Sequence, residues 1–478
     1  MIKTFFKDSL IYTIPTFFSR GIAIFLLPLY TSITTPEGLG ALDLFLVFGN
    51  IIALTIALEI TQGVARYIPD TNEKKLNILL ASTGLFFTLI MYLIFLFTSL
   101  IFHEKINFFI TGDKKYVETF QLAIIYIFFN GIFYYLQNLL RFKGRSSQFS
   151  IISVLYAFLN LLLTFIFGVI FSYGLEGIFY SLIFSTVISS LLGTYFLRDA
   201  LVFSINFKLL KKLLSFSLPL VPSSVLVFLS LYVDRYMLNN FIGIEEVGLY
   251  SVGARIASAA GLIMIGFQMS ISPLIYKNYK NYETPNDLSY IFRIFVVIAL
   301  FFFMIFSFLS KELILILTSS EYLDVVNIIP ILTLTFLFSN MYVFMPGITI
   351  RKKTKIILFI NLLVAIINVG LNFILIPRYG IMGASAATLF GYFCGFLMYI
   401  FFSQKLYYVK HYWFKYSLNF ILSISLVFYY YANVSIDNNL LLIIVRLIFV
   451  VLLLIMIFLS KLITREDINN LKNFFIQR

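Results

Sequence analysis

Val364-Ala365-Ile366-Ile367-Asn368-Val369-Gly370-Leu371-Asn372-Phe373 repeats, 208 residues on, the pattern of Tyr156-Ala157-Phe158-Leu159-Asn160-Leu161-Leu162-Leu163-Thr164-Phe165. The residues are identical at Ala157/Ala365, Asn160/Asn368 and Phe165/Phe373. A little further along, Tyr173-Gly174-Leu175-Glu176-Gly177 aligns with Tyr379-Gly380-Ile381-Met382-Gly383 at an offset of 206. Gly40 matches Gly248, Pro15 matches Pro219 or Pro222, and the basic loop around Arg141 matches the one around Arg351. Matches in consistent order at a near-constant offset point to an internal duplication.

The medium for which this repeat is built follows from composition. Of 478 residues, 61% are hydrophobic and 19% aromatic, while only 12% are charged. A soluble domain carries about 25% charged residues, so this chain has too few to cover a water-facing surface. Soluble enzymes, DNA-binding domains and secreted modules are excluded together. With one cysteine, Cys394, a disulfide framework within the chain is impossible, and two histidines in separate loops, His103 and His411, offer no metal cluster.

Fourteen apolar stretches are each long enough to cross a bilayer as a helix, which takes about 20 residues. They run near 10–33, 41–65, 77–102, 117–140, 149–172, 175–197, 216–242, 247–275, 289–310, 325–350, 356–377, 380–403, 415–434 and 440–463. They lack the two-residue alternation of a membrane barrel, so the predicted fold is all-α. The repeat joins span 1 to 7, 5 to 11 and 6 to 12. An even number of spans per unit gives the two units one orientation, as parallel repeats with a substrate site between them near the midplane. The predicted organisation is an N-lobe over 1–200, an amphipathic cytoplasmic linker helix over 201–215, a C-lobe over 216–403, spans 13 and 14 over 404–463, and an amphipathic cytoplasmic tail over 464–478. In the linker, Lys208, Lys211 and Lys212 share one helical face opposite Phe207, Leu210 and Leu214, a pattern suited to the inner leaflet surface.

Loop charge sets the orientation. Of 35 Lys and Arg, 25 fall on the side of the termini, 5 on the other side and 5 within spans. By the positive-inside rule both termini are expected in the cytoplasm. The net charge of +13 is then membrane topology and not a nucleic-acid surface.

The stretch from Asn368 to Pro377, followed by Tyr379-Gly380-Ile381-Met382-Gly383-Ala384-Ser385-Ala386-Ala387-Thr388, resembles the C-terminal half of bacterial polysaccharide flippases. Thr35-Pro36-Glu37 leading to Gly40, and Glu245-Glu246-Val247-Gly248-Leu249-Tyr250, resemble the outer-loop signature of the same proteins. The chain is similar throughout to Wzx-type flippases of the multidrug/oligosaccharidyl-lipid/polysaccharide superfamily, including a plan of six, six and two helices. The resemblance implies an undecaprenyl-diphosphate-linked oligosaccharide as cargo, moved from the inner to the outer leaflet of the bacterial cytoplasmic membrane for O-antigen, capsule or exopolysaccharide. It implies membrane lipids and a polysaccharide polymerase with chain-length machinery as partners. The small residues Gly383 to Ala387 read as helix-packing architecture rather than a binding site.

A diphosphate and a hydroxyl-rich head group need a wet, cationic path, so charges within spans are the candidate site residues. Arg20, Arg235 and Arg255, on the corresponding helices of the two lobes, suit bidentate capture of diphosphate oxygens; the alternative is an internal ion pair with Asp43 or Asp234. Arg66 lies at the cytoplasmic mouth, where topology explains it equally well. Asp43, Glu59 and Asp234 are candidates for coupling to H+ or Na+, or for charge pairing, with Glu59, deeper along span 2 than Asp43, preferred over Asp43 for coupling. Arg293 and Arg446, near span ends, are expected to snorkel. Pro15, Pro219 and Pro222 are expected to kink the opening spans. No Gly-x-x-x-x-Gly-Lys-Ser/Thr loop occurs, so no cofactor is expected and energy comes from an ion gradient or downstream consumption. The alternatives are a lipid II flippase or a multidrug antiporter of the same superfamily, or an enzyme, a membrane polysaccharide polymerase, which the short outer loops disfavour.

Overall fold

A computed structural model describes residues 25–68, 73–351, 353–433 and 439–462. Arg20, Pro15 and the tail 464–478 lie outside the described residues. Among those described, every element is helical, and nine helices are long and apolar enough to cross a membrane. The protein is an all-α, multi-pass membrane protein.

In chain order, α1 occupies residues 25–33. It is followed by α2 (Pro36–Thr55), α3 (Ile60–Tyr67), α4 (Lys74–Ile101), α5 (His103–Thr111), α6 (Val117–Phe142), α7 (Ser146–Thr164) and α8 (Gly174–Phe196). The linker holds α9 (Phe207–Ser217). Beyond it come α10 (Val221–Phe241), α11 (Ile244–Asn278), α12 (Thr284–Phe308), α13 (Ser310–Leu317), α14 (Ile328–Asn340), α15 (Gly347–Ile350), α16 (Thr354–Leu406), α17 (Trp413–Asn433) and α18 (Asn439–Leu459). Predicted span 2 is divided into α2 and α3, and spans 11 and 12 form the two arms of α16, folded at Gly380.

The repeated Tyr-Gly motif is a turn in each half. Gly174 and Gly380 both have positive φ, 57° and 53°, a conformation that costs any residue with a Cβ about 1 kcal/mol or more. Three residues on, a Cβ at Gly177 or Gly383 would strike the backbone of the preceding helix, at Phe167 and Leu375. The motif therefore closes a tight helical hairpin in both halves.

A second pair of repeat-equivalent glycines meets across the lobe boundary. Here α2 crosses α11, and a Cβ on Gly40 would lie 1.9 Å from the Ile244 carbonyl oxygen, while one on Gly248 would lie 1.8 Å from that of Pro36. Thr35 caps α2 by accepting from the Gly38 N–H, and Pro36 fixes its first turn. The lobes thus touch backbone to backbone at the end of the molecule remote from α9. One apolar core runs through this crossing, from Leu42 and Phe45 to Val247, Tyr250 and Ile328. A second joins α12 and α14 to α17 and α18 around Phe303, Phe308 and Leu453.

Three side-chain expectations change. Arg446 does not snorkel: it is 7% exposed and pairs with Glu312 of α13, with its Nε donating to the Tyr430 hydroxyl at 2.7 Å. A buried guanidinium needs such partners, so it docks α18 onto α17 and the C-lobe. Pro219 lies in the 3-10 turn Leu218–Leu220 and Pro222 in the first turn of α10. Both are at the first positions of their helices, where proline costs no helical hydrogen bond, so these prolines start a helix where a kink in the opening span was expected. Phe207 is 78% exposed and takes no part in the packed side of α9.

Large apolar side chains such as Phe97, Ile101, Phe428 and Leu459 are more than 60% exposed on the outer faces. Such a surface fits a hydrocarbon surround. Gly40→Ala should force the α2–α11 crossing apart. A cysteine at Ser251, buried beside it, is expected to gain maleimide reactivity in that variant on a Cys394→Ser background; unchanged protection would show that the crossing does not depend on Gly40.

Candidate functional site

Four charged groups converge on the lobe boundary. Asp43 lies seven residues into α2, about 10 Å along it. Asp234 and Arg235 sit two thirds of the way along α10, and Arg255 in α11. Arg235 donates from Nε to Asp43 Oδ2 at 2.9 Å and from Nη1 to Asp234 Oδ1 at 2.9 Å. Arg255 Nη2 stands 3.7 Å from Asp43 Oδ1. Asp43, from the N-lobe, is thus shared by two C-lobe guanidiniums.

Two carboxylates and two guanidiniums make the cluster formally neutral, which is the condition for holding ions in a low dielectric. Exposure divides their tasks. The Asp234 side chain is 3% exposed and Arg235 12%, whereas Arg255 is 30% exposed and has the long contact. Arg255 also lies over the Tyr30 ring of the opposite lobe, 5.5 Å from its centroid. Arg235 lies 5.2 Å from the centroids of both Tyr232 and Tyr250, within reach of a cation–π attraction.

Asp234 continues into a polar cluster that sequence reasoning missed. Tyr250 donates to its Oδ2 at 2.6 Å, and Thr388 approaches the same oxygen at 3.5 Å. Asn368 donates to Thr388 at 3.0 Å and accepts from Asn372 at 3.0 Å. The small residues of that stretch pack helices as expected, while its polar residues converge on a carboxylate. The available signal was Asn368 and Asn372, two amides one turn apart on a single face of an apolar helix.

The N-lobe repeats the cluster without its charge. Asn160 and Thr164, the equivalents of Asn368 and Asn372, meet Ser181: Ser181 donates to Asn160 Oδ1 at 3.0 Å and lies 2.7 Å from the Thr164 hydroxyl. Tyr30, on α1 of that lobe, is buried beneath the Arg255 guanidinium.

Glu59 stands apart from both clusters. It links α2 to α3 in the left-handed region with φ 53°, directly after Leu58 at φ 50°. Two such residues in succession store about 1–3 kcal/mol each. Ser224, near the start of α10, donates to Glu59 Oε1 at 2.6 Å. The lobes are therefore tied at two levels, by Asp43 at the end remote from α9 and by Glu59 nearer to it. Arg66 is exposed at the last turn of α3, on the α9 side and away from the cluster. Arg293 is half-buried in α12 beside Tyr290. Arg20 lies outside the described residues.

Arg235→Ala should leave Asp43 and Asp234 facing each other and lower the thermal midpoint by several degrees, with Asp43→Asn in the same chain restoring part of it. A double-mutant cycle is expected to give a coupling of about 1–3 kcal/mol; additive losses would mean that the pair carries no mutual stabilisation.

An uncharacterized membrane protein of Methanocaldococcus jannaschii is 24% identical over 425 residues, covering 82% of each chain. A putative O-antigen transporter of Shigella flexneri is 25% identical over 226 residues, 45% of this chain and 53% of its own. Among solved structures, the lipid II flippase MurJ in an inward closed conformation superposes with a TM-score of 0.73 at 18% identity, over 94% of this chain and 98% of that one. That likeness is one of fold. The model of the family described as "Polysaccharide biosynthesis protein" matches residues 5–279, more than half of the chain. Together with the repeat, the closed glycine crossing and the charged lobe boundary, this match places the chain in the polysaccharide biosynthesis protein family.

Proposed function

We propose that the protein is a flippase that carries an undecaprenyl-diphosphate-linked oligosaccharide repeat unit from the cytoplasmic to the outer leaflet of the bacterial cytoplasmic membrane. The product would serve O-antigen, capsule or exopolysaccharide synthesis, and both termini would face the cytoplasm. The observation that carries this reading is the sharing of Asp43 between Arg235 and Arg255 across the lobe boundary.

The mechanism follows from charge balance. A carboxylate held by two guanidiniums occupies the place that a diphosphate would take. Arg255, the more exposed of the pair with its longer contact, is the group that first receives phosphate oxygens. A diphosphate brings more charge and more acceptors than one carboxylate, and the planar fork of arginine binds it bidentately. Substrate would then displace Asp43, remove the tie between α2 and α10, and allow the lobes to part. Arg20, from span 1, would complete the cationic lining, and Arg66 would meet the lipid at the cytoplasmic mouth.

Release needs a second input. Asp234 is the proposed coupling carboxylate, bound by H+ or Na+ among the oxygens of Tyr250, Asn368, Asn372 and Thr388. A cation there competes with Arg235 for Asp234 and so alters how firmly that guanidinium is held. Since the N-lobe cluster has no carboxylate among the described residues, coupling would be confined to the C-lobe. Glu59, bound to Ser224, would act as a charge-pairing latch nearer the linker.

Chromosomal Arg255→Lys and Arg20→Ala are each expected to abolish surface polysaccharide, with the protein still in the membrane and the lipid-linked repeat unit accumulating on the inner leaflet. Accumulation of a lipid-linked peptidoglycan precursor instead would favour a lipid II flippase, and normal polymer display would show these arginines to be structural. Asp234→Asn should remove the dependence of lipid translocation on the ion gradient in proteoliposomes. A gradient response equal to that of the parent protein would exclude Asp234 from coupling.

A further inference from the structure

The linker between α8 and α10 has chemistry that translocation does not use. It is tied at both ends to membrane-spanning helices, so its residues must lie at the bilayer boundary on their own side. It is also fixed to the N-lobe. Val202 N–H donates to Ser82 Oγ at 2.8 Å and Asn206 N–H to Thr83 Oγ1 at 3.2 Å, both on α4. Asn206 then caps α9 by accepting from the N–H groups of Lys208 and Leu209. Leu213 is fully buried, and its carbonyl lies so close to Gly63 of α3 that a Cβ there would be 2.9 Å away. The apolar side of α9 is therefore used up against protein.

What remains outward is cationic and aromatic. Lys208, Lys211 and Lys212 are all exposed. Phe203 and Phe207 flank them at 94% and 78% exposure. Lys212 lies 4.4 Å from the centroid of the Tyr67 ring, which places the lysine row beside the end of α3 and its exposed Arg66. On the same side Arg145 takes up the charge of Asp199 in a two-point ion pair. Exposed phenylalanine is unfavourable in water and favourable at the headgroup–acyl boundary, and lysines on the same edge add attraction to anionic headgroups.

We propose that α9 and the segment before it form a docking surface for anionic phospholipid headgroups of the leaflet on the linker side. Phe203 and Phe207 insert at the acyl boundary while Lys208, Lys211 and Lys212 hold phosphates. The occupant is bulk anionic phospholipid, since three ammonium groups spread along two turns offer no single enclosed pocket for one diphosphate. The surface moves with the N-lobe, and the 3-10 turn Leu218–Leu220 separates it from α10. Anionic lipid would hold one lobe to the leaflet while the other rocks about that turn.

The test uses the purified full-length protein and native mass spectrometry against phosphatidylglycerol, phosphatidylcholine, a polyprenyl diphosphate and inorganic phosphate. The parent protein is expected to retain phosphatidylglycerol over phosphatidylcholine. Lys208→Gln/Lys211→Gln/Lys212→Gln should reduce that preference by on the order of 100-fold, the matching triple Arg variant should keep it, and Phe203→Ser/Phe207→Ser should weaken both phospholipids alike. An unchanged preference in the triple Gln variant would overturn the proposal. So would inorganic phosphate competing as well as phosphatidylglycerol, or polyprenyl diphosphate binding the lysine row in preference to it. None of these results bears on Arg20, Arg235 or Arg255, so the flippase reading stands or falls separately.

Discussion

Charge in a low-dielectric interface is the constraint on which the rest of this structure depends. Neither Asp43 nor Arg235 is tolerable alone between two apolar lobes; together with Asp234 and Arg255 they form a neutral set. Breaking such a set by removing one partner costs about 3–5 kcal/mol, whereas exchanging one anion for another costs far less. On the proposed mechanism, an interface held this way would stay closed while its own carboxylate is the best anion available and would yield to a better one. Backbone packing at Gly40 and Gly248 supplies the matching steric half of the contact.

The duplication explains why the two lobes are similar and where they differ. Each builds a helical hairpin on a left-handed glycine, Gly174 or Gly380, and each buries a hydroxyl–amide cluster beside it. The clusters differ in charge: among the described residues, the C-lobe cluster ends on the carboxylate of Asp234 and the N-lobe cluster holds only Asn160, Thr164 and Ser181. On the proposed reading, this unequal charge among the described residues would give the C-lobe cluster its means of sensing a cation.

Much of the architecture could be read from the amino-acid order. The apolar stretches located the helices because hydrocarbon imposes one length on all of them, and the spacing of Asn160 and Asn368 revealed the repeat. Asp43, Asp234, Arg235 and Arg255 stood out because charge within a span needs a reason. Their pairing was legible only as the alternative to a cavity lining; which arginine meets which aspartate was not, since α2 and α10 are far apart in sequence and only packing brings them together. The same limit concealed Arg446, which looks like a helix-end cation until Glu312 is seen beside it. It also concealed the break at Leu58 and Glu59, where no glycine or proline marks the left-handed turn.

The central claim is that a lipid diphosphate replaces Asp43 on the two arginines and so separates the lobes. Spin labels at Lys114 of the N-lobe and Asn240 of the C-lobe, introduced as Lys114→Cys and Asn240→Cys with Cys394→Ser, report the distance across that boundary. In lipid nanodiscs, adding a polyprenyl-diphosphate oligosaccharide should shift the distance distribution toward longer separations, and an Arg235→Gln/Arg255→Gln background should abolish the shift. A distribution unmoved by the diphosphate lipid, or moved equally without the arginines, would contradict the account.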